Sequence, residues 1–544
     1  MFTAHFLCFK RLPENIFLNF LLTIIPTIVK LPTKSITKAL TRGFQSNLKV
    51  HGSMENKGLQ YSKREENASM KKQVLSRLVL AASVAGLVGC KKDNSKVVNI
   101  YCWNNEFENR ISDYYPGLVR DENGAPKKDK EGAYLLKSGN RIKYTQIANE
   151  NNAYQNALDA ALNNQESAKA DDKVDIFLRE ADYALKYANS DITLDVKNDV
   201  GLTDSDLSDR YDYTKVIATD TREGKGKALK GVSWQATPGL FAYRTDIAEE
   251  VLGTSDPDQV QSKIDTWDKF NAVAAQRKEK SHYRLSGYDD SYRTFSNNRA
   301  TSWVKGYDKD GKRIVTLDPR IKSWIKQTAD YTTNAYSHKT KLWDADWKKD
   351  QGPEGNVFGF FYSTWGINFT LKDNALAKAT SDGGKYEVGN GLYGKYRVVR
   401  GPANYYWGGT WICAAKGTDN IEDVKDIRKM MTCDKDVAET ITRGTEDYTN
   451  NKTARHKLAT DSTYKSDFLG GQNHIALFEQ TAAQIKRNAR SDIDQTCNEG
   501  IQNARHDYFA NPTETKYKEA INNFKATVTT KTNGVVFDDT FASL

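Results

Sequence analysis

Between Val97 and Leu178 the chain switches repeatedly between two hydrophobic periods, and no other stretch restricts the possible folds so severely. Val97-Val98-Asn99-Ile100-Tyr101-Cys102-Trp103 has the β-branched and aromatic content of a buried strand. Polar residues then start a helix over Glu106 to Tyr115. Arg141 to Ile147 alternates and reads as a second strand. Asn151 to Leu162 is a helix with Tyr154, Leu158, Ala161 and Leu162 on one face, and Val174 to Leu178 is a third strand. Strand, helix, strand, helix, strand predicts a parallel sheet with helices on its faces, because parallel neighbours need a long crossover and a helix supplies it. The charged, glycine-containing stretch Gly117 to Asn140 interrupts this series as a surface hairpin.

A chain of 544 residues exceeds one ordinary domain, and a hydrophobic content of 38% is ample for buried cores, so two lobes are expected. The formal charge of +9 would suit a nucleic-acid partner if it were spread over the body. It is not: residues 1 to 90 hold 13 Lys and Arg against 4 Asp and Glu, and the remainder holds 66 of each. A neutral body with scattered charge argues against a phosphate-binding groove. None of Cys8, Cys90, Cys102, Cys413, Cys433 and Cys497 has metal-ligand spacing, so no zinc site is expected. Whether the last four form disulfides or stay as buried thiols is open at this level.

The basic residues cluster around a leader. Met70-Lys71-Lys72 and Arg77 precede an apolar run of 11 residues, Leu78 to Val88, too short to span a membrane and suited to a signal-peptide core. Its end, Leu87-Val88-Gly89-Cys90, resembles the lipobox of bacterial lipoproteins, in which the cysteine thiol takes a diacylglyceryl group and becomes the new N-terminus. Residues 70–90 are therefore expected to be a lipoprotein signal peptide and residues 91–96 a polar tether. A signal peptide belongs at the start of a chain, so residues 1–69 are expected to be a mis-called N-terminal extension. Their apolar patch, Ile16 to Val29, is interrupted by Asn19 and Pro26 and is a poor membrane helix.

Farther along, Trp234-Gln235-Ala236-Thr237-Pro238-Gly239-Leu240-Phe241-Ala242-Tyr243-Arg244-Thr245-Asp246 runs from a loop through a strand towards a helix, and Thr266-Trp267-Asp268-Lys269-Phe270 follows. With Tyr362-Ser363-Thr364-Trp365-Gly366, Trp407-Gly408-Gly409-Thr410-Trp411 and Gly470-Gly471-Gln472-Asn473, this order resembles family 1 extracellular solute-binding proteins, the class that includes maltose-binding protein. The resemblance runs from about Val97 to the end. It implies an α/β, two-lobed periplasmic-binding-protein fold of type II with an inter-lobe cleft, residues 97–235 and 400–445 forming one lobe and 236–399 and 446–544 the other. It also implies a carbohydrate ligand, ABC transporter permease subunits as partners, a monomer, and no metal or organic cofactor.

A sugar presents C–H faces and a rim of hydroxyls, so its site needs flat aromatic rings beside acids, amides or guanidinium groups. Trp103, Asn104 and Glu106 follow the first strand, and Glu180 and Asp182 follow the third, where open α/β sheets place their ligands. Trp234 and Gln235 lie at the expected first crossing between lobes, and Trp365 occupies the position that resembles the family's stacking residue. Trp407 and Trp411 flank two glycines in a stretch that reads as extended; four apart, they should share a face, one towards the cleft and the other in the core. Asn473 is either a ligand group or a helix cap. Trp267, Trp303, Trp324, Trp343 and Trp347 are expected in packing. Two rivals stand beside a binding protein: a secreted glycoside hydrolase and a peptide-binding or structural lipoprotein. Carboxylates abound, but no spacing selects a catalytic pair, and H-E-x-x-H, G-x-S-x-G and P-loop signatures are missing.

Overall fold

A computed structural model describes residues 96–279, 282–486 and 489–544. The leader Met70 to Cys90, the upstream residues 1–69 and the tether through Ser95 lie outside the described residues. Nine strands matter for the site: β1 (Val97–Cys102), β2 (Tyr134–Leu135), β3 (Arg141–Gln146), β4 (Ile176–Glu180), β5 (Val232–Ser233), β6 (Gly239–Arg244), β7 (Gly359–Ser363), β8 (Tyr396–Val399) and β9 (Thr410–Ala414). They form a six-stranded sheet in the order β2-β3-β1-β4-β9-β5 and a three-stranded sheet in the order β7-β6-β8.

The first sheet follows the expected alternation. β1 pairs in parallel with β3, Val97 opposite Arg141 through Cys102 opposite Gln146, and in parallel with β4 on its other side. Central strands covered on both faces are buried almost throughout, and β1 and β4 are so, with Asn99 and Arg179 as buried polar exceptions among the apolar residues. The crossovers are α1 (Glu106–Tyr114) and α2 (Ala153–Asn163), which bury Phe107 and Ile111, and Tyr154, Leu158 and Leu162. β4 begins two residues later than the apolar run suggests, so Glu180 closes the strand instead of following it. The interruption at Gly117 to Asn140 is a pair of tight turns built alike. One carboxylate oxygen of Asp121 accepts the backbone N–H groups of Asn123 and Ala125, and Asp129 does the same for Glu131 and Ala133.

After β5 the chain enters the second sheet, where β6 is antiparallel to both neighbours and wholly buried. It returns at β9, which inserts antiparallel between β4 and β5, with Thr410 opposite Glu180 and Trp411 opposite Ser233. The C-terminal helices Asp494–Asn503, His506–Ala510 and Glu514–Lys531 pack with Pro319–Thr333 around Trp303, Trp324 and Phe524. Among the described residues no helix is long and apolar enough to cross a membrane. Cys102, Cys413, Cys433 and Cys497 are all unpaired thiols, which resolves that open choice.

Trp324 is fully buried, with Tyr292 edge-on at 4.8 Å and Phe509 at 5.2 Å. Trp324→Ala is expected to cost about 3–5 kcal/mol of stability through lost burial and a residual cavity. Urea denaturation checks this, and a loss under about 1 kcal/mol would mean that the cluster is not a packed core.

Candidate functional site

The carboxyl ends of β1 and β4, the turn before β9 and the segment after β7 converge on one cavity of about 420 Å³. Eight of the sequence-derived candidates line it: Trp103, Asn104, Glu106, Glu180, Asp182, Gln235, Trp365 and Trp407. Trp103 continues β1 and is held edge-on by Tyr154 at 5.6 Å and Tyr183 at 6.3 Å. The Asn104 side chain accepts the Glu106 backbone N–H at 3.2 Å, and Glu106 opens α1. Glu180 accepts the Asp182 N–H at 2.6 Å and so caps the short turn after β4.

Three candidates are not brought to this cavity. Trp234 is fully buried in the core beneath the first sheet, with Arg110 over its ring at 5.7 Å. Trp411 is equally buried, and its indole N–H donates to the Thr214 carbonyl at 2.9 Å. Asn473 accepts the Ala476 N–H and donates to the Leu458 carbonyl at 2.9 Å, so it serves as the cap of helix His474–Ala482. The stretch between Trp407 and Trp411 is also not extended. Gly408 and Gly409 have φ of +69° and +104°, a left-handed turn that sends Trp407 to the cleft and Trp411 to the core. A Cβ on Gly408 would lie 3.2 Å from the Trp365 indole nitrogen, and one on Gly409 would lie 3.2 Å from the Trp411 ring.

Other lining residues were not anticipated. Trp343, expected in packing, is 42% exposed and stacks nearly parallel to Trp365, at 6.2 Å and 17°. Trp407 lies 5.4 Å from Trp365 and 6.1 Å from Trp343, and Phe369 meets both Trp343 and Trp365 edge-on. Trp365 is pinned by its indole N–H, which donates to the Trp407 carbonyl at 2.9 Å. On the polar side Arg293 pairs with Asp182 at 2.7 Å and lies 5.8 Å over Trp407. Gln495 and Glu499 come from helix Asp494–Asn503, where a spacing of four puts them on one face. That polar face, opposite buried Cys497 and Ile501, was the one local signal available for them.

Beneath the aromatic wall, the Gln235 amide donates to Glu106 at 3.3 Å, and Arg110 bonds Asp447 at 2.9 Å. Burial, with Asp447 close by, pushes the Glu106 carboxyl up to about 7 against the opposing pull of Arg110 and the Gln235 hydrogen bond. A raised carboxyl pKa favours the protonated form in the folded state. Its stabilisation is complete below pH 4.5, the ordinary value, and is lost as the pH rises to about 7. Glu106→Gln should therefore flatten the fall in melting temperature across that window and raise stability at neutral pH. Parallel melting curves for the two proteins would contradict the assignment.

The geometry is that of a cleft in which aromatic rings are interleaved with acids, amides and one guanidinium. The family model for bacterial extracellular solute-binding proteins matches residues 133–469, more than half of the chain. No curated protein matches by sequence. Among solved structures, the ABC transporter associated binding protein from B. animalis subsp. lactis Bl-04, in complex with beta-1,6-galactobiose, is similar with a TM-score of 0.57 at 17% identity, over 82% of this chain and 100% of that one. Maltose-bound MalE3 of T. maritima gives 0.52 at 12%, over 79% and 98%. The sugar-binding protein MalE from Xanthomonas citri gives 0.54 at 12%, over 79% and 96%. At these identities the likeness speaks for the fold, an α/β, two-lobed binding-protein architecture. With the family match over the segment that carries the second sheet, every strand of the first except β1, and most of the cleft, the chain belongs to the bacterial extracellular solute-binding proteins.

Proposed function

We propose that this protein captures a carbohydrate in the cleft between its two lobes and delivers it to an ABC transporter permease. The observation that carries this reading is the trio Trp343, Trp365 and Trp407, mutually within 6.2 Å, sharing one cavity with Glu180, Asp182 and Arg293. Indole faces suit the C–H faces of a pyranose, and acids and a guanidinium suit its hydroxyls. The related structures hold beta-1,6-galactobiose and maltose, ligands of that chemistry. The lobes assigned are residues 97–235 with 400–445, and 236–399 with 446–544.

The mechanism is closure. A ligand that touches both walls gains contacts only when the lobes approach, so it shifts an open-to-closed equilibrium by its differential affinity for the two forms. The closed form is the one the permease engages. A diacylglyceryl group on Cys90, at the end of the leader, keeps the protein beside that permease on the outer side of a bacterial membrane.

Titration against a saccharide panel, followed by tryptophan fluorescence, tests the reading. A saturable change without product is expected; release of shorter sugars would make the protein a glycoside hydrolase, and silence across the panel would favour a peptide ligand. With the sugar that binds, Trp365→Ala should weaken affinity by about 1–3 kcal/mol while leaving thermal unfolding near that of wild type. For the anchor, Cys90→Ala should shift the expressed protein from the detergent phase to the aqueous phase on Triton X-114 partition. Retention in the detergent phase would remove Cys90 as the lipid site.

A further inference from the structure

The cleft does not end at Trp343. A second cavity of about 490 Å³ adjoins the first, and Arg293, Trp343, Trp407 and Glu499 belong to the walls of both. Its remaining wall includes Asp289, Asp290, Lys341, Asp344, Gln502 and His506. We propose that this second cavity is a further sugar subsite, so that the ligand is an uncharged oligosaccharide long enough to cross Trp343 and occupy both. This inference rests on the carbohydrate reading above.

Three observations support it. The strands Leu285–Gly287 and Ser337–Thr340 pair in parallel, and Asp289, Asp290 and Lys341 to Asp344 follow their carboxyl ends. The second cavity thus stands to that strand pair as the first stands to β1 and β4, at the ends where parallel strands place ligands. Trp343 itself has φ of +75°, a left-handed conformation that a bulky side chain rarely adopts, and such residues cluster at ligand clamps. Its partly exposed ring is held at the junction of the two cavities.

The charges fit an uncharged unit. Asp289 is paired with His506 at 3.0 Å. Asp290, bonded by the Trp347 indole N–H at 3.1 Å, is pushed up to about 8 by burial and so is mostly protonated at neutral pH. Of the other charged wall groups, Arg293 is paired with Asp182, and Glu499, Asp344 and Lys341 complete a set of both signs. Hydroxyl groups can donate to and accept from such a set without bringing a net charge into it. Glu499, Gln502 and His506 also lie beyond the segment that the family model matches, so this wall is supplied by the chain's own C-terminal helices.

The test is calorimetric titration of the intact protein with malto-, cello-, xylo- and β-galacto-oligosaccharide ladders of one to six units. In the series that binds, affinity should rise about tenfold or more between two and four units, equivalent to about 1.4 kcal/mol. Trp343→Ala and, separately, Gln502→Ala should bring that ratio towards one; Lys341→Ala, on an exposed loop, serves as the third variant if either of these fails to fold. Affinity that is flat beyond the disaccharide, or variants that weaken every length in equal proportion, would overturn the second subsite and leave the carbohydrate reading intact. Failure of every ladder to bind would overturn both.

Discussion

The antiparallel seam between β9 and β4 organises the rest of the molecule. By placing Thr410 opposite Glu180, it brings the Trp407-Gly408-Gly409 turn against the acid that ends β4, although the two are far apart along the chain. The same seam aligns β5 on the far side of β9 and so fixes where the chain leaves for the second sheet. Thr237, just past that exit, donates its hydroxyl to the Gly408 carbonyl at 3.0 Å, locking the outgoing segment to the returning one. Shifting the register by one residue would exchange the fates of the side chains that follow, sending core indoles to the cleft and cleft groups to the core.

The polar groups of the cleft share a construction. Glu106 opens a helix, Glu180 caps a turn and Arg293 lies on the short helix Tyr292–Ser296. Each is therefore carried by a helix or turn start at the end of a strand or loop, not by a free segment. Their hydrogen bonds are to each other or to nearby backbone, so the groups are oriented before a ligand arrives and binding costs less side-chain entropy. The Asp182–Arg293 pair is nearly buried, and such pairs are weak evidence for stability because desolvation offsets the attraction. The pair orients Arg293, which also covers the Trp407 ring.

The parts legible in the sequence are those that local periodicity or strand polarity determines. The β1 to β4 alternation appears as read, with shifts of one or two residues at the ends, because buried parallel strands and amphipathic crossovers carry their pattern locally. Trp103, Glu106, Glu180 and Asp182 reach the cleft for the same reason: the ends of parallel strands are known before the rest of the fold is. Trp407 and Trp411 divide between cleft and core as the alternative allowed, but through two consecutive left-handed glycines instead of an extended stretch, a turn that composition does not reveal; Trp234 went to the core beneath the first sheet. Asn473 took the capping role that two glycines ahead of an apolar helix also allowed. Arg293, Trp343 and Phe369 belong to segments with no periodic signature, and only tertiary assembly gathers them.

The seam has a consequence for how the protein acquires its structure. β4 must wait for a partner 230 residues downstream, the distance from Glu180 to Thr410, and closing so long a loop forfeits chain entropy before any contact rewards it. Until then, the strand Ile176–Glu180, apolar over its first three residues, has β1 on one flank and an open edge on the other, the arrangement that invites pairing with a stranger. A chain that emerges in order from ribosome or translocase therefore passes through an interval with its first half nearly built and its central edge uncovered. The return of a five-residue strand ends that interval and, in the same event, brings the Trp407 turn to the Glu180 end of the cleft.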